Sequence, residues 1–447
     1  MSSPNPETSD APQRVPDAFI PYQRNQLLEL CLKDGALSLS EQTEFQQFGD
    51  LFAAYTHFQF HQQLEDLKDN YWCFDPDCIT ADCPEDDQDR NLSARTVVDR
   101  FETLAELANF RKLTDADIIA SFEDSTLIQL KTDVDLEDFH QYSCFVRGET
   151  RRTERVQGSF RQVEVECEIY DRVLLLLHFK DLDYFAGSGK KRKKVEDLGF
   201  TPGMIYVYFY KDVPKDDLEL LFPNVKMSMT PKDKLMLSVP AVGAGIAAIV
   251  KVTGKITLVV AALAITLSWD WLIDLLPGAP PTVNQFAALT ALFTVVMTLS
   301  MLAFKQWDTY KNKRTKFLKL VSENLFYRNL ASNQSVFHRI LDSAEEEECK
   351  EALLVYYHIL TNPNRTFTPQ QLDAHIEAWM KTNFGHVVDF DIDGPIQNLQ
   401  LIRGKDTRGQ TMPLLEISPQ GTIMIPALKD ALHILDHLWD HAYEYSS

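Results

Sequence analysis

Two long apolar segments, 256–273 and 286–304, dominate the hydrophobic pattern of the chain. As helices rising 1.5 Å per residue they would each span roughly 27–28 Å, close to the roughly 30 Å hydrocarbon core of a bilayer. The loop between them carries a single charged residue, Asp274. The pattern therefore predicts a two-helix transmembrane hairpin near the middle of the chain.

A third apolar stretch, 235–250, is broken by Pro240 and two glycines, and we expect it to form an interfacial helix at 231–250. Two crossings, unlike three, place all flanking lysines on one side, and the positive-inside rule makes that side cytoplasmic. The sequence thus predicts a multi-pass protein with both termini in the cytoplasm. The residues expected at the membrane interface are Lys251, Lys255, Trp269, Asp270, Trp271, Lys305, Lys311, Lys313 and Arg314.

The polar, acidic start of the chain resembles neither a signal peptide nor an organelle transit peptide. A bacterial-type inner membrane is therefore favoured over an organelle membrane, with the lipid bilayer as the first partner. Self-association and contact with other membrane proteins are further expected partners.

The soluble parts show helical and strand-like periods in turn. Ser38 and Glu41 form a capping-box pattern ahead of phenylalanines at three-to-four spacing, which predicts a helix. Alternation over 163–169 and the apolar runs 173–179 and 204–210 predict a small antiparallel sheet. Beyond the hairpin, Thr368, Pro369 and Gln371 predict a capped helix start, and the helix–strand–helix order from there onward is typical of a small winged-helix-like domain.

The predicted fold class is therefore an α+β multi-domain membrane protein, mainly helical, with a small antiparallel sheet, the transmembrane hairpin and the winged-helix-like C-terminal domain. The predicted parts are a disordered tail at 1–19, a helical domain at 20–140, a small α/β domain at 141–230, the membrane region at 231–304, a helical region at 305–362 and the C-terminal domain at 363–447.

The formal net charge of −21 belongs to the soluble parts and, without a long basic stripe, excludes nucleic acid as a partner. The seven cysteines are odd in number and scattered, which favours reduced thiols over a disulfide framework.

Three histidines near the C-terminus, His433, His437 and His441, follow one another at intervals of four and lie along one helical face. Imidazoles at this spacing could share a zinc ion. The alternative is the solvated face of a terminal helix whose Ile434 and Leu435 point to the core, and we favour it.

His57, His61 and Glu65 repeat the same spacing on an N-terminal helix. Their aromatic neighbours favour buried, hydrogen-bonded histidines over a metal site. The metalloprotease signature is missing, because Phe58 stands where its glutamate would be.

The acidic run 345–348, followed by Lys350 and Glu351, lies on a predicted helix. A solvated helical face is the favoured interpretation, and divalent-ion binding is the other. The sequence predicts no catalytic residues and no cofactor.

Several short stretches fall in a characteristic order between residues 20 and 445: 57–61, 67–71, 108–110, 200–203, 210–214, 223–224, 233–235, 310–313 and 344–352. Together they resemble the domain-of-unknown-function family 3754, which includes the transmembrane protein 143 group. The resemblance implies an integral membrane protein with two spans, no established activity and no catalytic residues to assign.

The function expected from these patterns is a membrane-anchored, non-enzymatic scaffold or adaptor with its soluble domains on the cytoplasmic side. One alternative is an oligomeric channel or transporter component with Asp270 on its path. The other is a metal-dependent membrane enzyme that uses one of the histidine faces.

Overall fold

The computed structural model describes residues 17–78, 87–123, 131–157, 162–186, 198–228, 325–385 and 387–442, with isolated helical positions between 297 and 322. The chain divides into two units, one made of Met1–Asp124, Val134–Asn224 and Arg328–Ser447, and the other of Ser125–Asp133 and Val225–Tyr327.

The helices of the first unit are α1 (Arg24–Lys33), α2 (Leu39–Tyr71), α3 (Asp87–Leu107), α4 (Asp115–Glu123), α5 (Leu182–Ala186), α6 (Gln334–Leu360), α7 (Pro369–Phe384), α8 (Asp393–Leu401) and α9 (Leu428–Asp440). Its strands are β1 (Arg111–Lys112), β3 (Phe139–Gln157), β4 (Gln162–Phe179), β5 (Ile205–Pro214), β7 (Asn329–Ser332), β8 (Arg403–Lys405), β9 (Thr411–Pro413), β10 (Glu416–Ile417) and β11 (Ile423–Met424). In the second unit, β2 (Lys131–Asp133) pairs antiparallel with β6 (Lys226–Ser228).

The main sheet is antiparallel, in the order β1-β3-β4-β5-β7. Leu174 and Leu176 of β4 face a core on one side, and Leu175 and Leu177 are fully buried on the other. A strand buried on both faces reads as a continuous apolar run, which is what 173–177 shows. The sheet therefore lies inside the unit rather than at its surface.

Helices α2 and α6 form the spine of the first unit and run antiparallel. Phe48 of α2 packs on Tyr356 near the end of α6 with ring centroids 4.3 Å apart. Tyr71, at the other end of α2, meets Phe337 near the start of α6 at 4.8 Å. In α2, Phe45, Phe48 and Phe52 recur at three-to-four spacing and supply its side of this shared face.

Two hydrophobic cores lie along this spine. One is made by α1, the first half of α2, the second half of α6, and α7, α8 and α9. The other is made by the second half of α2, α3, the main sheet and the first half of α6. The charged stretch 345–351 of α6 lies where one core gives way to the next.

Several local predictions are confirmed. Ser38 and Glu41 form the capping box at the start of α2, and Thr368 and Gln371 form one at the start of α7, with Pro369 in its first turn. The alternating and apolar runs fall on β4 and β5.

The membrane prediction needs correction. Among the residues that the structure describes, no helix combines the length and the apolar character needed to cross a bilayer. The transmembrane hairpin in the predicted fold class is therefore wrong, and so is the localisation as a two-span protein with cytoplasmic termini. Apart from positions 297, 301 and 304, the segments 231–250, 256–273 and 286–304 lie outside the described residues. The prediction rested on the apolar length of these segments in the sequence alone. Spanning a bilayer requires a continuous apolar helix of about 20 residues.

Replacement of Phe48 by alanine tests the packing of α2 on α6. Its ring is fully buried against Tyr356 and Phe52, so Phe48→Ala should lower the free energy of unfolding by about 3–5 kcal/mol. Chemical denaturation measures the change. Leu92→Ala, at a position 65% exposed on α3, is the control and should stay within about 0.5 kcal/mol. Equal effects of the two substitutions would contradict the described packing.

Candidate functional site

The segment that leads into α1 and includes its first residue, residues 17–24, contacts the main sheet, α6 and the C-terminal part of the first unit, and we call it the strap. The carboxylate of Asp17 accepts a hydrogen bond from the backbone N–H of Gly148 in β3 at 2.9 Å. The carbonyl of Asp17 accepts one from the N–H of Asp389 at 3.1 Å. The ring of Tyr22 stacks on Phe384 with centroids 3.8 Å apart. The strap thus ties the main sheet to the C-terminal helices.

A buried ion pair in α6 holds the middle of the strap. The Lys350 ammonium lies 2.6 Å from the Glu347 carboxylate, and both side chains are 2% exposed. Lys350 also donates to the carbonyls of Ile20 at 2.7 Å and Tyr22 at 3.1 Å, while Glu347 accepts from the N–H of Ile20 at 3.1 Å. The pair therefore satisfies backbone groups of the strap that have no secondary-structure partner there.

Asn109, which follows α3, fastens the strap from the other side. Its backbone has φ of +58°, a left-handed conformation that asparagine tolerates better than most residues. Its side-chain amide donates to the carbonyl of Ala18 at 3.2 Å and to the carboxyl group of Glu351 at 2.8 Å. One amide therefore links the strap, the end of α3 and α6.

Burial shifts the pKa of all three carboxyl groups of this cluster in the same direction. Burial raises the pKa of Glu347 and of Glu348, partly offset by Lys350 in the first case and by Asn398 in the second. Burial and the neighbouring Glu348 raise the pKa of Glu351 well above its usual range. The surroundings thus favour the neutral form of Glu351, and the Lys350 ammonium lies beside the Glu347 carboxyl group.

The predicted solvated face is therefore wrong for this part of α6. Glu347, Glu348, Lys350 and Glu351 are all buried. They are buried because each finds a partner in the strap, Asn109 or Asn398. The signal in the sequence was the unbroken apolar run 352–357 that follows, which places this turn inside the protein on all sides.

A row of three cations crosses the sheet beside the strap. Arg147 of β3 lies opposite Arg172 of β4, which lies opposite Lys211 of β5. They sit two residues beyond the apolar row Phe145, Leu174 and Phe209, and so extend the core face of the sheet. We call Arg147, Arg172 and Lys211 the cation row.

Arg147 is held rigidly. Its guanidinium lies 4.0 Å from the ring centre of Phe19 and 4.4 Å from that of Phe110, and it donates to the carbonyl of Ala108 at 2.7 Å. Phe19 belongs to the strap, and the Lys350 ammonium lies 5.1 Å from the centre of the same ring. The strap therefore orients one end of the cation row through a cation–π contact.

The nearby carboxylates are already engaged. Arg152 pairs with Asp212 at 3.1 Å and with Asp171 at 3.7 Å. Arg172 donates to the backbone carbonyl of Asp171 at 2.7 Å rather than to its side chain. Within the described chain, no carboxylate lies within 4 Å of the Lys211 ammonium. The row is consequently a concentration of positive charge on an acidic protein.

Open cavities adjoin the cation row. One of about 490 Å³ is lined by Phe19, the row itself, Arg152, Asp171 and Asp212. A second, of about 670 Å³, lies along the strap and adds Arg339, Asp342, Glu346 and Lys350. We call these two cavities together the strap groove. Both are of a size that holds small ligands.

The lining of the strap groove defines what it can do chemically. Among the described residues, its charged groups come from arginines, lysines, aspartates and glutamates, Tyr22 adds a phenol, and neither a histidine nor a cysteine lines either cavity. Guanidinium and ammonium groups recognise carboxylates and phosphates through charge-assisted hydrogen bonds. The lining is therefore suited to holding an anion.

The C-terminal histidines do not converge on a common point. His433 lies 3.2 Å from the carbonyl of Lys405, while the rings of His437 and His441 stack 4.1 Å apart. His441 also contacts the carbonyl of His437 at 2.7 Å. Among the described residues, no group of three histidine, cysteine, aspartate or glutamate side chains is arranged to hold a metal ion.

The N-terminal candidates, His57, His61 and Glu65, do not converge on a common point either. His57 is exposed and contacts Glu345 at 2.8 Å, and Glu65 pairs with Lys68 at 2.8 Å. His61 is exposed as well. The prediction of buried histidines was wrong because only Phe60 of this turn points to the core, and its neighbours turn outward with the helix.

Of the residues predicted at a membrane interface, Lys305 and Lys311 are exposed positions in helical backbone. The others lie outside the described residues: Lys251, Lys255, Trp269, Asp270, Trp271, Lys313 and Arg314. The cation row was not predicted, since its members come from three separate strands and only the register unites them.

Residues 170–335 match the family model described as "Protein of unknown function (DUF3754)". The match confirms the family resemblance but does not address the transmembrane protein 143 group. It begins in β4 and ends in α6, and thus includes Arg172 and Lys211. No solved structure matches the chain.

Replacement of Lys350 by methionine tests the buried pair. Lys350→Met would leave Glu347 buried without its cation, so the free energy of unfolding should fall by about 3–5 kcal/mol. Lys33→Met removes a pair whose side chains are 73% and 67% exposed, and should change the free energy of unfolding far less because water screens the pair. Adding Glu347→Gln to Lys350→Met should recover part of the loss. A cost equal to that of the control would contradict the clamp.

Replacement of Glu351 by glutamine tests its neutral state. Because its pKa is raised in the folded chain, the folded state keeps a proton that the unfolded state loses above pH of about 4.3. Its contribution to stability therefore falls as the pH rises. Thermal melts should show Glu351→Gln gaining stability relative to the parent chain between pH 4 and pH 8. The exposed control Glu416→Gln should show no such trend, and a pH-independent difference for Glu351→Gln would contradict the assignment.

Proposed function

We propose that this chain, a member of the DUF3754 family, is a non-enzymatic scaffold or adaptor that holds an anionic partner in the strap groove. The observation that carries the proposal is the cation row, Arg147, Arg172 and Lys211, in direct register across three strands. Like charges placed opposite one another in a sheet destabilise it. An arrangement that costs stability is often retained at a functional site.

The geometry of the row supports binding. Arg147 is fixed between Phe19 and Phe110, and Arg172 is fixed by a backbone carbonyl. Cations that are already oriented lose little conformational entropy when a partner arrives, so more of the interaction energy appears as affinity. A rigid and positively charged groove is what an adaptor needs to hold an acidic group in one orientation.

The lining of the groove favours a scaffold over an enzyme. General acid–base or nucleophilic catalysis commonly uses a histidine or cysteine beside a polarising partner. In the part of the chain that the structure describes, neither residue type lines the strap groove. A metal-dependent enzyme has less support, because the two predicted histidine sets do not converge among the described residues.

Because the chain is acidic overall, an acidic partner would be attracted at one region of the surface only. A formal net charge of −21 repels an acidic partner over most of the surface. The strap groove is positively charged, unlike the rest of this surface, and would orient the partner as it approaches. Such complementarity contributes to specificity and association rate more than to raw affinity.

The test is partner recovery with groove variants. The full-length chain is expressed in its own cells, cross-linked briefly and isolated, with Arg172→Glu and Lys211→Glu as groove variants. Charge reversal in the row should reduce recovery of the partner by roughly tenfold or more. Arg403→Glu, at an exposed position of β8, is the matched control and should leave recovery unchanged.

Two results would contradict the proposal. One is recovery of the same proteins by the parent chain, the groove variants and the control. The other is loss of partners by all three variants alike, which would show a general effect of charge. Melting temperatures of the variants confirm that a loss does not come from unfolding.

A further inference from the structure

We infer that the group recognised by the cation row is a phosphate rather than a carboxylate. The inference deepens the proposed function and rests on it, since it concerns the same groove. The phosphate could belong to a small soluble molecule or to a phosphorylated side chain of a partner protein. Both sources present the same chemistry to the row.

The spacing of the row fits phosphate. Neighbouring strands lie about 4.8 Å apart, so the three cations in register cover about 10 Å of the sheet face. A phosphate ester carries close to two negative charges near pH 7 and three acceptor oxygens, and can bridge two adjacent cations. A single carboxylate carries one charge and two oxygens. Three aligned cations therefore exceed what one carboxylate can satisfy.

Four of the five acids that line the strap groove contact groups outside the cation row. Of the acids that line the smaller cavity, Asp171 and Asp212 are both paired with Arg152. In the adjoining cavity, Glu347 is paired with Lys350, and Glu346 accepts a hydrogen bond from the N–H of Arg24 at 2.6 Å. Asp342 and Arg339 line the same cavity from α6. Among the described residues, six cationic and five acidic side chains line the two cavities together.

The donor types also favour phosphate. Two of the three cations are arginines, whose planar guanidinium makes paired hydrogen bonds to phosphate oxygens. Lys211, at the far end, supplies a point charge on a flexible stem. The cavities of about 490 and 670 Å³ leave space for the remainder of a phosphate-bearing molecule.

The experiment is calorimetric titration of the full chain with three probes at fixed ionic strength. The probes are inorganic pyrophosphate, a short phosphoserine peptide, and the same peptide with glutamate in place of phosphoserine. The variants are Arg172→Gln and Lys211→Gln, which remove charge without adding an acid. Arg403→Gln is the control, and thermal melts verify the fold of each variant.

Saturable binding of pyrophosphate or the phosphoserine peptide, at least roughly tenfold tighter than the glutamate peptide, is the expected result. Arg172→Gln and Lys211→Gln should each weaken it by roughly tenfold, and Arg403→Gln by less than about twofold. Tighter binding of pyrophosphate would indicate a soluble molecule, and tighter binding of the peptide a partner protein. Affinity for the phosphoserine peptide should also fall below pH of about 6, as the phosphate gains a proton.

Equal affinity for the glutamate and phosphoserine peptides would overturn the phosphate inference while leaving the anion-binding proposal intact. Phosphate binding that is insensitive to both groove variants would overturn the inference as well. If no probe binds, the inference fails. The proposed function then fails only if Arg172→Glu also retains the cellular partner.

Discussion

The buried pair between Lys350 and Glu347 is the interaction on which the arrangement of this protein depends. A buried charge is tolerated only when a partner and hydrogen bonds replace the water it has lost. Here the missing bonds come from the backbone of Ile20 and Tyr22 in the strap. The strap therefore supplies hydrogen bonds that the buried ion pair of α6 requires. This requirement fixes the position of the strap.

That position connects the cores to the groove. The pair lies where the two cores meet on α6, and the strap that it holds carries Phe19 against Arg147. Arg147 in turn begins the cation row across β3, β4 and β5. A series of contacts thus connects the buried ion pair to the strap groove, which is open and positively charged. A change in the buried pair would be felt at the groove.

The sequence was informative where local physics decides. Capping residues such as Ser38 and Thr368, and the apolar runs of β4 and β5, indicated helix starts and strands because these signals act over a few residues. The membrane prediction rested on apolar length alone, and no helix among the described residues has the length and apolar character to cross a bilayer. The acidic turn of α6 was assigned to solvent, because its partners Ile20 and Asn109 are more than 200 residues away in the chain.

The groove shows the same limit. Arg147, Arg172 and Lys211 are ordinary charged positions in sequence, and strand register alone makes them a row.

Hydrogen–deuterium exchange at the strap is the most direct test of the claim that the buried pair fixes this surface. The amides of Ile20 and Arg24, bonded to Glu347 and Glu346, should exchange far more slowly than an unstructured chain. Exchange at the unstructured rate would show that the strap is not clamped and would contradict the account.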